Sequence, residues 1–120
     1  MRITELLTKE TIAMDLSATT KDTAIDELAQ QLNQAGKLSH LEDFKKAIHA
    51  REQQSSTGIG EGIAIPHAKV AAVKQPAIAF GKSKAGIDYD SLDMQPAHLF
   101  FMIAAPASGA QTHLDALAKL

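Results

Sequence analysis

The chain has no cysteine. That excludes disulfides, thiolate nucleophiles and zinc-thiolate centres together, and leaves histidine, carboxylate and hydroxyl groups for any chemistry. Charge of one sign is not in excess: 12 Lys and Arg against 14 Asp and Glu give a formal net charge of -2, with no basic tract to draw the chain to nucleic acid. The longest apolar run, Leu99 to Pro106, falls far short of the roughly 20 residues that cross a bilayer. The amino terminus lacks the charged-then-apolar layout of a signal peptide, so a cytoplasmic protein is expected. Phosphate and metal motifs are missing too. Gly58, Gly60 and Gly62 follow GxGxG instead of the dinucleotide GxGxxG, and no GxxxxGK[ST] occurs. No two histidines stand at i, i+4 and there is no HExxH, so neither a metal nor another cofactor is expected.

What is present suits one domain with one core: 120 residues, 45% apolar and 22% charged. "TIAMDL", residues 11–16, alternates like a strand. "TTKDTAIDELAQQLNQAG" places Ala24, Ile25, Leu28, Ala29 and Leu32 on one helical face, opens on threonines and acids, and closes at Gly36. A second helix is predicted from Leu41, on Phe44, Ala47 and Ile48, ending near Glu52. "PAIAFGKSK" and "AHLFFMIAAP" read as strands, the latter apolar on both sides of its pleat and so covered on both faces. The polar stretch "AGIDYDSLDMQPA" between them is turn-rich. From Thr112, "THLDALAKL" resumes helical spacing, with Thr112 and Asp115 in the relation of a capping box. That helix reaches Leu120 without a stop signal, so the natural domain is expected to continue past residue 120. Strands interleaved with helices predict a layered α/β domain.

The segment "TGIGEGIAIPH", residues 57–67, holds three glycines, a proline and a histidine. Taken alone, the glycines read as a surface loop that needs left-handed backbone. Pro66 stiffens the chain just ahead of His67, which presents an imidazole rigidly. A neutral imidazole can attack phosphorus, because its ordinary pKa of roughly 6.5 leaves much of it unprotonated near neutrality. Its other nitrogen is expected to donate to a backbone carbonyl that fixes the tautomer. Arg51, where the second helix gives way to the loop, has the side chain best shaped to grip phosphate oxygens. His113 lies in the first turn of the last predicted helix, where amides favour an anion. Each has a plainer reading, and only their conjunction points to phosphoryl chemistry. His40 is expected in the turn between the helices, His49 on an exposed helix face, and His98 as a hydrogen-bonded histidine of the buried strand.

"REQQSSTGIGEGIAIPHAK" together with "THLDAL" resembles the enzyme IIA domain of the fructose/mannitol type in the bacterial phosphoenolpyruvate-dependent sugar phosphotransferase system. The likeness covers essentially the whole chain, residues 1–120, as a single domain, and "PAIAFGKSKAGIDYDSLDMQPAHLFFMIAAP" looks like the fructose branch. The resemblance implies the mannitol-type IIA fold, a three-layer sandwich of helices on both faces of a mixed sheet. It also implies a phosphoryl relay: His67 takes a phosphoryl group from HPr and passes it to a fructose-type IIB domain, which serves a membrane IIC component. Arg51 would stabilise the phosphoryl charge, and His113 would donate a hydrogen bond to it. Thr57, Gly58, Ile59, Gly60, Gly62, Ile63 and Pro66 would form the loop and docking surface for both partners. Fusion to IIB and IIC would tether the domain to the membrane. Two other readings stand beside this one: a nitrogen-regulatory-type IIA that binds a partner protein and uses His67 as a switch, and a phosphate-ester hydrolase using His67 and His113.

Overall fold

The computed structural model describes residues 3–107. A short helix α1 (Ile3–Leu6) and a 3-10 turn (Lys9–Thr11) lead into β1 (Ile12–Ala13). Two long helices follow, α2 (Lys21–Gln34) and α3 (Leu41–Gln54). Five strands then run in succession: β2 (Gly58–Gly60), β3 (Ile63–Ala64), β4 (His67–Lys69), β5 (Ala77–Ile87) and β6 (Ala97–Ala105).

Helix α2 starts where a reciprocal threonine pair satisfies its first amides. Thr23 N–H donates to the Thr20 hydroxyl, and Thr20 N–H donates to the Thr23 hydroxyl, both at 3.2 Å. Its predicted stripe of Ala24, Ile25, Leu28, Ala29 and Leu32 is wholly buried, packed with Phe44 and Ile48 of α3 against one face of the sheet. Each large aliphatic side chain so buried contributes about 1.5–3 kcal/mol.

The sheet is mixed and its order is β1-β5-β6-β3-β2, with β4 pairing β6 alongside. Strand β6 is its spine. It runs antiparallel to β5 on one side; on the other it runs parallel to β3 at Leu99 and Phe100, then to β4 from Ile103 to Ala105. Its side chains alternate between two apolar clusters, as expected for a strand covered on both faces. Phe100, Met102 and Ala104 enter the main core beneath α2 and α3. Ile103 joins Ile78 and Leu6 of α1 on the opposite face, with Phe101 and Ile65 against them. The layered α/β expectation therefore holds.

Three expectations need correction or lie elsewhere. The strand predicted over residues 11–16 shrinks to two residues, because the chain leaves the sheet edge after Ala13 and folds Leu16 over Gly81. A Cβ on Gly81 would lie 2.8 Å from the Leu16 methyls, and Leu16 N–H donates to the Lys82 carbonyl at 2.8 Å. The glycine segment is no surface loop: it supplies a β2–β3 hairpin and the parallel strand β4. Gly60, Glu61 and Gly62 turn the hairpin with φ of 99°, 57° and 78°, a left-handed run that glycine makes affordable. The helix predicted from Thr112, and His113 with it, lie outside the described residues.

Candidate functional site

His67 opens β4, and the chain on either side of it is pinned. The Pro66 carbonyl accepts the Ile103 N–H at 2.9 Å, and Ile65 N–H donates to the Thr57 carbonyl at 3.0 Å. The imidazole is half-buried. Its Nδ1 lies 2.8 Å from the Ile65 carbonyl oxygen. A carbonyl only accepts, so Nδ1 carries the proton in that bond and a neutral ring holds its lone pair at Nε2.

Between the last turns of α3 and strand β4 lies a cleft of about 440 Å³, lined by Ala47, Ala50, Arg51, Gln54 and residues 67–70. It brings Arg51 and His67 together. Arg51 sits in the last turn of α3, where the helix dipole favours a cation. Its Nη1 donates to the Ser55 carbonyl at 2.9 Å and to the Ser55 hydroxyl at 3.4 Å, steadying the guanidinium at the helix end. Lys69 adds a second cation. It was not singled out from the sequence, although its strand spacing of two from His67 puts both on one face. Among the described lining residues there is no carboxylate, so the cleft suits an anion.

Behind the cleft a buried polar network joins three parts of the chain. Glu52 continues the α3 stripe of Phe44 and Ile48 at i+4, and its side chain is 5% exposed. Its Oε1 accepts the Thr57 N–H at 3.0 Å, its Oε2 accepts the Thr57 hydroxyl, and Lys21 Nζ lies 3.1 Å from Oε1. The Tyr89 hydroxyl lies 3.4 Å from the Thr57 hydroxyl, and Lys21 stacks over the Tyr89 ring at 4.6 Å from its centroid. Burial, with the nearby Glu52 charge, pushes the Tyr89 hydroxyl far above its ordinary pKa, against the lowering effect of its Thr57 bond. The sequence did carry a sign of this network, since a carboxylate on an apolar stripe must be paired.

The residues expected at a docking surface divide. Ile59 is 52% exposed, and Ile63 and Gly62 are half-buried. Thr57, Gly58, Gly60 and Pro66 are buried and build the scaffold beneath that surface. Thr57 is spent on Glu52, and Gly58 lies against Ser91, whose neighbour Leu92 donates its N–H to the Gly58 carbonyl at 2.9 Å. The Asp93 carboxylate accepts the N–H groups of Glu61 at 2.9 Å and Gln95 at 3.1 Å, and these bonds hold it below the usual carboxylate range. Leu92 and Met94 stand out of this 91–95 loop, 74% and 90% exposed.

The remaining histidines are accounted for locally. His40 precedes the first residue of α3 with its Nδ1 3.0 Å from the Ser39 hydroxyl, His49 lies 3.3 Å from Asp26, and His98 Nδ1 donates to the Ser83 carbonyl at 2.9 Å. Among the described residues no group of three or more His, Asp or Glu is placed to hold a metal ion. No described helix is long and apolar enough to cross a membrane.

Comparison with known proteins places the chain as a whole. Over its full length the chain is 60% identical to the fructose-specific EIIABC component of Bacillus subtilis, of which it spans 19%. It superposes on the crystal structure of nitrogen regulatory protein IIA-Ntr from Neisseria meningitidis with a TM-score of 0.87 and 33% identity, over 97% of this chain and 79% of that one. Against IIA mannitol from Escherichia coli the TM-score is 0.78 at 28% identity, over 92% and 77% of the two chains. The family model for EIIA 2 of the phosphoenolpyruvate-dependent sugar phosphotransferase system matches residues 5–120, and the chain belongs to that family.

Proposed function

We propose that this chain is the phosphoryl-carrying IIA unit of a fructose-type phosphotransferase system, with His67 as the residue phosphorylated, on Nε2. The observation that carries the reading is the His67 ring, fixed through Nδ1 by the Ile65 carbonyl and set in a cleft with Arg51 and Lys69. The Nε2 lone pair attacks the phosphorus of a phosphohistidine on an HPr-type donor. As the new N–P bond forms, the donor's N–P bond breaks and the donor nitrogen leaves with the electron pair. No proton need cross between the two rings. Arg51 and Lys69 neutralise the equatorial oxygens as they pass between nitrogens, and positioning supplies most of the remaining rate. By family likeness His113 donates a further hydrogen bond to the phosphoryl group. A IIB nucleophile then repeats the displacement on the His67 phosphoryl group, and a neutral imidazole leaves.

The fructose assignment rests on 60% identity to a fructose-specific relative against 33% and 28% to the nitrogen-regulatory and mannitol proteins. That relative's EIIABC designation makes IIB the fitting acceptor, with membrane IIC beyond it. Such a relay works in the cytoplasm, where phosphoenolpyruvate is found. A hydrolase reading is disfavoured, since no carboxylate among the described lining residues could activate water.

The test is a relay assay with phosphoenolpyruvate, enzyme I, HPr and a fructose-type IIB domain. The expected result is phosphate on this chain that chases onto IIB. If the chain charges but never discharges to IIB, while a bound partner protein is released, the nitrogen-regulatory reading replaces this one. If it never charges, both fall.

A further inference from the structure

We infer that Glu52 is a positioning residue for transfer at His67: its buried carboxylate ties the helix end carrying Arg51 to the base of the β2–β3 hairpin, where the Ile65 carbonyl holds the imidazole. The inference rests on the proposed role of His67.

The connection runs through named bonds. Both Glu52 oxygens are engaged by Thr57, one by its N–H at 3.0 Å and the other by its hydroxyl. Thr57 in turn accepts the Ile65 N–H at 3.0 Å on its carbonyl, and the Ile65 carbonyl accepts His67 Nδ1–H at 2.8 Å. At its other end Glu52 is the residue next to Arg51 in the last turns of α3. One carboxylate therefore sets the height of the guanidinium's helix relative to the carbonyl that orients the ring. None of Glu52, Thr57 and Tyr89 lines the cleft, so they act only through Arg51 and His67.

Two features argue that this carboxylate does more than fill space. An apolar side chain at 52 would continue the stripe of Phe44 and Ile48 without the cost of burying a charge, yet it could not hold two donors of Thr57. Lys21, 3.1 Å from Glu52, is the first residue of α2, where the helix dipole disfavours a cation. The pairing with Glu52, supported by Asp90 at 3.8 Å and the Tyr89 ring, explains that placement. Both partners of the ion pair are thus held at a local cost.

Glu52→Gln, Thr57→Val and Thr57→Ser test this with two measurements on folded protein, verified by circular dichroism. The first is the 15N spectrum of the His67 imidazole at about pH 8.5, where an ordinary imidazole is neutral. The second is single-turnover transfer from phosphorylated HPr at varied donor concentration. Glu52→Gln and Thr57→Val are expected to shift the ring from the Nδ1–H tautomer toward a mixture. They should also lower the rate at saturating donor by about tenfold to a hundredfold, the scale of a displaced reacting group. The half-saturating donor concentration should move less than about threefold, as for an interaction made only in the transition state. Thr57→Ser, which keeps the hydroxyl, should restore both readouts. A wild-type ring spectrum in folded Glu52→Gln and Thr57→Val overturns the inference, as does a loss confined to donor affinity. Should Glu52→Gln fail to fold, Thr57→Val decides. The ring spectrum needs no donor, so a wild type that takes no phosphoryl group would defeat the proposed function and leave the positioning of the ring separately readable.

Discussion

Gly58→Ala should destabilise the protein by collision, and the size of the loss follows from the geometry. Gly58 does not adopt left-handed backbone, so alanine meets no dihedral penalty there. A Cβ would instead collide with the Ser91 hydroxyl and lie 3.0 Å from Ser91 Cα and 3.1 Å from its Cβ. Overpacking of this kind costs about 1–3 kcal/mol. Alanine returns about 0.4–1 kcal/mol by restricting the unfolded chain, leaving a net loss of about 1.3 kcal/mol at the middle of both ranges. For a domain of this size that corresponds to a melting point lower by roughly 4–8 °C. The contrast is Gly62, where φ is +78° and only the His98 ring, at 3.7 Å, stands near an added Cβ. There the cost is backbone strain of about 1–2 kcal/mol, which asparagine partly avoids. Thermal melts followed by circular dichroism would separate the two mechanisms: Ser91→Gly should recover most of the loss in Gly58→Ala and none of that in Gly62→Ala. A Gly58→Ala protein that melts at or above wild type, or a loss that Ser91→Gly leaves untouched, refutes the packing argument.

Arg51→Lys keeps the charge but loses the planar fork, so phosphoryl transfer at saturating donor should slow by about tenfold to a hundredfold. Because Arg51 bonds only the exposed Ser55 loop end among the described residues, stability should change by less than about 0.5 kcal/mol, as a urea melt would show. Tyr89 is the single tyrosine, so phenolate absorbance reports on it alone. Its pKa is raised in the fold; the stability it contributes is therefore fully present below the unfolded value of about 10 and is lost as pH rises beyond that. Phenolate should appear only as the fold is lost, and its appearance near pH 10 with native circular dichroism would contradict the buried network.

Local periodicity made the helices legible, because α2 and α3 bury stripes that any core would require. The conjunction of His67 with Arg51 was also legible, since a helix end and a stiffened segment only 16 positions on can readily meet. The hairpin was not. Strands β2, β3 and β4 are three residues or fewer, too short to show alternation, and β3 and β4 exist because β6, some 36 residues later in register, offers its edge. The buried network depends on that same distant chain: Tyr89 and Ser91 reach back over Thr57 and Gly58 from a stretch that reads as polar turn. Glu52 alone could have been noticed, standing on the stripe of Phe44 and Ile48.

Intact mass and 15N–31P spectroscopy of the chain, after incubation with phosphoenolpyruvate, enzyme I and HPr, test the account most directly. One acid-labile phosphoryl group is expected, bonded to Nε2 of His67 and absent from His67→Ala. No gain in mass, an equal gain in His67→Ala, or a phosphorus bonded to Nδ1 would contradict it.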